Sequence, residues 1–532
     1  MKKFLILLVI TGLMFCTSCN KFLDELPDNR AEVNNPDKIA KLLVSAYPAY
    51  SHTLIAEMYS DNIDDYKGPT NSLSDRFIEQ VATWQDVTEL DNEDPQNVWE
   101  AHYKAIACAN QALAAIAELG EPEKLLQYKG EALLARAYNH FILVNLFCLH
   151  YNKRTSDSDL GIPYISSTEK ELYPKYGRGT VAQVYDSIER DLEKGLLLIT
   201  DNYKVTKYHF NHNAAYAFAT RFYLYYEKYD KVIECANKIF GSDPSILMRD
   251  WATISQNTYD FDVYSEDYIN VSHRCNFLLM TGSSNCGLAF GPWTVWKRFS
   301  HTSLISNYET LEAKAPWGEY TTNTYHSRIR SYGASGGEYS FATVAKIPYM
   351  FEYTDPVAQI GYRRSVFPVF QAEEALLNRA EAYALTDRLD EAVADLVTWQ
   401  KSRIKSGTIM TRKNILEFFK NVDYYTPTNP TNKHRLHPLI STSISDDIQE
   451  KENIIHCILF VRRIHTIFEG LRWFDIKRYG IHVYRRQISN VIEAGSPASV
   501  EKIYDSLTVN DPRRAMQLPQ DVIAAGLEPN PR

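Results

Sequence analysis

Ala380-Glu381-Ala382-Tyr383 leads through Leu389-Asp390-Glu391 to Ala392-Val393-Ala394-Asp395-Leu396, so that Ala, Tyr, Ala and Leu fall at successive spacings of three, nine and four. An earlier segment repeats most of the pattern, since Tyr223, Val232 and Ala236 keep the separations of Tyr383, Ala392 and Leu396. Two antiparallel helices that cross closely need small residues at the crossing, and an aromatic on one helix then packs against an apolar residue on the next.

The arrangement matches the tetratricopeptide pattern, and generic antiparallel helix pairs satisfy the same spacing less specifically. Working outward, Tyr128 to Cys148 carries Ala137, Phe141, Val144 and Cys148 on one helical stripe. Thr180-Val181-Ala182-Gln183 is a capping-box start for a helix through Tyr185, Ile188 and Leu192. Residues 36–241 therefore read as an N-terminal helical-repeat part. From 242 to 368, Gly, Ser, Asn, Thr and aromatics replace the Ala/Leu/Glu pattern, which predicts a large irregular, loop-rich excursion. Residues 369–532 return to helix, broken by an irregular stretch from Tyr424 to Ile444, and are expected to pack with the N-terminal part as one body. The predicted class is mainly α, a tetratricopeptide-like repeat body carrying that excursion.

At the N-terminus, Lys2 and Lys3 precede an apolar run from Phe4 to Phe15 that ends at small residues and Cys19. This is the layout of a secretion signal, too short for a span that needs ~20 helical residues. Residues 1–18 are expected to be removed, with Cys19 acylated and residues 19–35 forming a tether. Of the later cysteines, Cys108, Cys148 and Cys235 lie in helical patterns and read as buried thiols, while Cys275 and Cys286 flank a loop in a way that leaves a disulfide open.

With 45% hydrophobic and 23% charged residues in 532, the chain is globular, and its net charge of −9 disfavours nucleic acid as a partner. Tyrosine is abundant at 36 copies, a residue with a flat apolar face and a polar edge. No zinc spacing, P-loop, HExxH or Rossmann glycine pattern occurs, and no cofactor is expected. Gly333-Ala334-Ser335-Gly336-Gly337 fits G-x-S-x-G but lacks the strand-to-helix context that makes such a serine nucleophilic. A hydrolase is thus the least favoured reading, and the chain is expected not to be an enzyme.

Arg462-Arg463, then Phe468-Glu469-Gly470-Leu471-Arg472-Trp473-Phe474-Asp475-Ile476-Lys477-Arg478-Tyr479-Gly480, resembles the C-terminal signature of the SusD/RagB family. Gly130-Glu131-Ala132 through Arg136-Ala137-Tyr138, Gly161-Ile162-Pro163-Tyr164, Gly177-Arg178-Gly179-Thr180, Asn211 through Arg221, Leu518-Pro519-Gln520 and Asn530-Pro531 agree with it in order. His465 stands where Glu is common, and Arg532 where the family usually ends in Gly. The resemblance implies a SusD-like α-α superhelix, lipid-anchored in the outer membrane and surface-exposed. It implies an oligosaccharide, or in some branches a peptide, as ligand, and a SusC-like TonB-dependent transporter as partner.

A sugar site needs aromatic faces and a few fixed donors and acceptors. Two regions offer both: Asp61, Tyr66, Arg76 and Trp84 in an early polar stretch, and Trp293, Trp296, Trp317 and Tyr320 in the excursion. Asp61, Asp64 and Asp65 lack EF-hand spacing, so no metal is assigned. Trp99 and Tyr103 are assigned to the core. Arg472 and Asp475, three apart, are expected to pair above a buried Trp473 as a structural cluster. A scaffold that binds only peptide or protein is the alternative function.

Overall fold

The capping box at Thr180 forms as the sequence predicts: its side chain accepts from Gln183 N, and Gln183 returns the bond to Thr180 N. In the computed structural model, which describes residues 35–67, 76–90, 92–169, 175–257, 260–291, 298–318, 341–405, 407–437, 446–489 and 498–532, that helix belongs to a series of helices packed side by side. In chain order these are α1 (Pro36–Leu43), α2 (Thr53–Tyr59), α3 (Arg76–Ala82), α4 (Pro95–Glu118), α5 (Leu126–Phe147), α6 (Val181–Leu196), α7 (His212–Tyr225) and α8 (Tyr229–Phe240). They continue with α9 (Phe261–Tyr268), α10 (Ala372–Leu385), α11 (Leu389–Arg403), α12 (Arg412–Asn421), α13 (Asp446–His465) and α14 (Arg472–Tyr479). Neighbours α4/α5, α5/α6, α7/α8 and α10/α11 pack pairwise, and α10 also contacts α8 and α13.

The two segments that overlay in sequence are the hairpins α7–α8 and α10–α11, with Tyr223, Val232, Ala236, Ala380, Tyr383, Ala392 and Leu396 all buried. Their equivalence extends into the turns. Glu227 and Asp387 both have left-handed backbone, with φ of 58° and 62°. Each turn closes on the same bond, from Lys228 N to Tyr223 O at 2.9 Å and from Arg388 N to Tyr383 O at 2.8 Å.

A third copy escapes the sequence overlay because residues 148–180 separate its two helices. Arg136 on α5 grips Asp191 on α6 with two bonds of 2.6 and 2.7 Å, and donates to Asn110 of α4 at 2.8 Å. Arg379 on α10 likewise grips Asp395 on α11 at 2.8 and 2.7 Å and donates to Asn237 of α8 at 2.8 Å. Arg462 on α13 does the same with Asp475 on α14 and Asn378 of α10. In the α7–α8 hairpin the corresponding positions hold Ala219 and Cys235, and Arg221 instead pairs across to Glu374 of α10. Close approach of α5 and α6 is set by glycine, since a Cβ on Gly195 would meet Leu134 Cγ at 2.7 Å.

The excursion is more ordered than its composition implies. It contains strands β2 (Asn276–Ser283), β4 (Met350–Asp355) and β5 (Ile360–Gln371), an antiparallel sheet in the order β2-β5-β4. A second sheet of order β3-β1-β6-β7 joins β1 (Asp64–Asp65), β3 (Phe299–Ser300), β6 (Val483–Ile488) and β7 (Val500–Leu507). Cys275 and Cys286 are buried free thiols, so the open question of a disulfide is answered by two separate sulfhydryls. Cys19 and Ser335 lie outside the described residues.

Removing one member of a buried bidentate pair strands the other without compensation, at a cost of ~3–5 kcal/mol. Arg379→Met should therefore lower the urea midpoint sharply, and the double variant R379M/D395L should recover most of the loss. Equal stability of wild type and single variant would contradict the assigned role of the pair.

Candidate functional site

The segment that follows α2 is held by arginines from the far end of the chain. Asp61 receives Arg472 Nε and Nη2 at 2.8 and 2.7 Å, while Arg463 donates to Asp61 O at 2.7 Å and to Asn62 Oδ1 at 2.9 Å. Asp64 receives Arg486 at 2.8 and 2.9 Å, and Glu309 bridges Arg463 and Arg486 at 3.0 and 2.9 Å. Asp65 is paired by Arg298 at 2.9 Å through both carboxylate oxygens. Arg485 donates to the carbonyls of Met58, Ser60 and Ile63, with its guanidinium 4.6 Å from the centre of the Trp84 ring. Glu57 accepts from Asn62 Nδ2, Phe468 N and Gly470 N, and burial pushes its carboxyl up to about 7.

This knot changes the standing of the early candidates. Asp61, Tyr66 and Trp84 are buried, and Trp84 Nε1 donates to Tyr59 O at 2.9 Å. Their faces are covered by protein and present no stacking surface. Trp317 is likewise buried, with Trp399 and Phe460 ring centres both 5.8 Å away. Arg76 is exposed and pairs with Glu89 at 3.0 Å. Trp293, Trp296 and Tyr320 lie outside the described residues. Trp99 is in the core as expected, and Tyr103 packs against it with its hydroxyl donating to Pro163 O.

Beside the knot lies a cleft of about 340 Å³ between residues 81–96 and the C-terminal segment 516–521. Its floor includes Tyr59, Val81 and Leu518, and its polar lining Gln85, Glu89, Asp94, Gln96, Gln520 and Asp521. The loop forming one wall is rigidly built. Trp84 turns the chain through φ of 55°, and the Gln80 amide bonds Thr88 Oγ1 and Thr88 N at 2.9 and 3.0 Å. Arg532 Nε then donates to Asp86 at 2.7 Å, tying that wall to the C-terminal segment. Asp94 caps α4 by accepting from Asn97 N at 2.7 Å. Leu90, 72% exposed, forms an apolar lip. The volume falls within the ~300–1,000 Å³ usual for small-molecule sites.

A second exposed feature is the ribbon β4–β5. Phe351 and Tyr353 project from one face, 39% and 53% exposed, with ring centres 4.9 Å apart and edge to face. Tyr353 pairs with Gly361 across the ribbon, and a Cβ at Gly361 would meet Phe351 Cε1 at 2.7 Å, so glycine lets the ring lie flat on the strand. The base of the ribbon is anchored through Arg363 to Asn285, whose N–H donates to Glu93 beside the cleft residue Asp94. The sequence reading did not select this pair. Its signal was the alternation Phe351-Glu352-Tyr353 before the turn at Asp355-Pro356.

Residues 21–224 match a SusD-like family model described as "Starch-binding associating with outer membrane". Over that part the chain is similar to the SusD-like family. Solved structures of the same fold include a SusD superfamily protein from Bacteroides thetaiotaomicron, with a TM-score of 0.62 and 16% identity over 93% of this chain and 99% of that one. A SusD superfamily protein from Bacteroides fragilis gives 0.60 and 18% over 93% and 99%. A SusD-like carbohydrate binding protein from Bacteroides vulgatus gives 0.58 and 13% over 92% and 96%. At these identities the likeness establishes the fold. No curated protein matches the chain.

The 468–480 segment is structural, with one partner differing from expectation. Arg472 pairs with Asp61, and Asp475 pairs with Arg462 and with Arg478 three residues on. Trp473 is buried edge-on to Tyr59 at 4.9 Å. Lys477 Nζ caps the end of α5 by donating to the carbonyls of Asn145 and Cys148, and Arg478 reaches Glu381 of α10 at 2.7 Å. Burial lowers Lys477 to about 7.

Burial alone would raise the Asp61 carboxyl, but Arg463 and Arg472 outweigh it and hold it well below its ordinary 3.8. Its stabilisation is therefore fully present above pH 3.8 and is lost as the pH falls toward the folded value. Asp61→Asn should cost ~3–5 kcal/mol at pH 7, and the gap from wild type should narrow below pH 3.8. Urea titrations at pH 7 and pH 3 check this, and an undiminished gap at low pH would refute the ion-pair account.

Proposed function

We propose that this chain is a non-catalytic oligosaccharide-binding protein, anchored to the outer membrane through acylated Cys19 and exposed at the cell surface. It captures glycan and passes it to a SusC-like TonB-dependent transporter. The observation that carries the reading is the 340 Å³ cleft, with amide and carboxylate groups around an apolar floor, in a chain whose residues 21–224 resemble the SusD-like family. Hydroxyl-rich ligands need such mixed donors and acceptors. The family description names starch binding, and one structural relative is described as carbohydrate binding.

Within this reading the residues divide by placement. Asp61, Tyr66, Trp84 and Trp317 are buried and belong to the frame, with Trp84 next to the cleft residues Gln85 and Tyr59. Arg76 flanks the cleft through its pair with Glu89. Phe351 and Tyr353, with Trp293, Trp296 and Tyr320 of the excursion, supply stacking faces.

A glycan array followed by calorimetry tests the proposal. Saturable binding without release of reducing ends is expected. Gln85→Ala/Gln96→Ala and Phe351→Ala/Tyr353→Ala should each weaken it by roughly tenfold, the effect of losing ~1.4 kcal/mol of polar or aromatic contact. Retention of no glycan, or turnover at an enzymatic rate, would sink the reading. Separately, Cys19→Ala should abolish incorporation of labelled fatty acid and release the protein from the membrane fraction. Membrane retention with no label in the wild type would refute the anchor.

A further inference from the structure

The cleft has a one-sided electrostatic lining. Among the described residues that face it, Glu89, Asp94 and Asp521 are carboxylates, and Gln85, Gln96, Gln517 and Gln520 are amides. Lys, Arg and His are missing from that described lining. Three arginines stand near it, each already engaged by acidic partners, among them Arg513, which pairs with Asp505 and Asp511 at 2.7 and 2.8 Å. Arg76 pairs with Glu89 at 3.0 Å, and Arg532 pairs with Asp86 at 2.7 Å.

Recognition of uronate or sulfate groups relies on guanidinium or ammonium donors, most effectively in bidentate geometry. A carboxylate brought into this cleft would instead meet like charge. Like charges ~6 Å apart in a medium of intermediate dielectric weaken association by roughly tenfold or more per charge. Amides carry both donors and acceptors, as sugar hydroxyls do, so they pair with an uncharged ligand without needing a counter-charge. The net charge of −9 adds repulsion at long range.

We propose that the cleft selects uncharged, hydroxyl-rich oligosaccharides and excludes uronate-containing and sulfated ones. The selectivity rests on the glycan-binding reading above and on Glu89 and Asp521 as its determinants. Glu89 acts by holding Arg76 in an ion pair, and the net negative charge comes from Asp521.

The test measures binding of the full chain to maltoheptaose, xylohexaose and cellohexaose as neutral probes. An oligogalacturonate and a chondroitin sulfate oligosaccharide serve as anionic probes, all at low and high salt. At least one neutral probe should bind, with affinity indifferent to salt. The anionic probes should bind at least roughly tenfold more weakly, and any residual binding should strengthen as salt screens the repulsion. Glu89→Gln/Asp521→Lys, which frees Arg76 and adds a cation, should raise the ratio of anionic to neutral affinity by roughly tenfold or more. Tight anionic binding to the wild type that weakens with salt would overturn the selectivity. Neutral binding insensitive to Gln85→Ala/Gln96→Ala would remove the cleft as its seat while glycan binding stood. Failure of every glycan to bind would refute the functional reading itself, and the selectivity with it.

Discussion

Asp61 and Arg472 are 411 positions apart, yet their two parallel bonds fix where the beginning of the fold meets its end. Arg463 reinforces the junction through Asp61 O and Asn62, and Arg486 and Glu309 extend it to Asp64. Taking so many charges out of water is costly, and the cost is offset only because nearly every carboxylate oxygen meets a guanidinium at hydrogen-bond distance. Such a junction is intolerant of small displacements. The cleft depends on it directly, because Tyr59 and Trp84, which stand under its floor and wall, are held in place by this same knot.

The helical body uses a related device three times. Arg136–Asp191, Arg379–Asp395 and Arg462–Asp475 each join two helices, and each arginine takes an asparagine oxygen from a neighbouring helix as well. A bidentate pair sets rotation as well as separation, which apolar packing alone leaves looser. The motif therefore fixes how successive helix pairs stack. Where the α7–α8 hairpin lacks it, Arg221 and Glu374 supply the link to α10. Lys477 and Arg478 then join α14 to α5 and α10, so the signature helix closes the body at several points.

Rigid support and exposed recognition surface are thus provided by different residue classes. The charged residues most prominent in the sequence, Asp61, Asp64, Arg472 and Asp475, are consumed in support. The exposed groups suited to a ligand are plain by comparison: glutamines around the cleft and an aromatic pair on a ribbon. Under the proposed function such a division suits release, since ligand contacts can stay weak while the frame does not move.

Spacing indicated the helical pairing, because Tyr223 and Tyr383 each lead an apolar residue, Val232 and Ala392, by the nine positions of a tight helix hairpin. The Thr180 cap and the Tyr128–Cys148 stripe were likewise readable, being governed by contacts three or four residues apart. The third hairpin was not, since residues 148–180 separate its helices, and neither were the sheets within the excursion, whose strands pair across gaps that composition does not report. For the site the division is sharper. Asp61, Tyr66 and Trp84 have the residue types of a sugar-binding loop, and nothing local distinguishes a loop facing water from one threaded beneath Arg472 and Arg485. The sequence determined which helices form and how chain neighbours pair; burial, and with it the choice between support and recognition, was decided by partners hundreds of positions away, because exposure belongs to the packed chain as a whole.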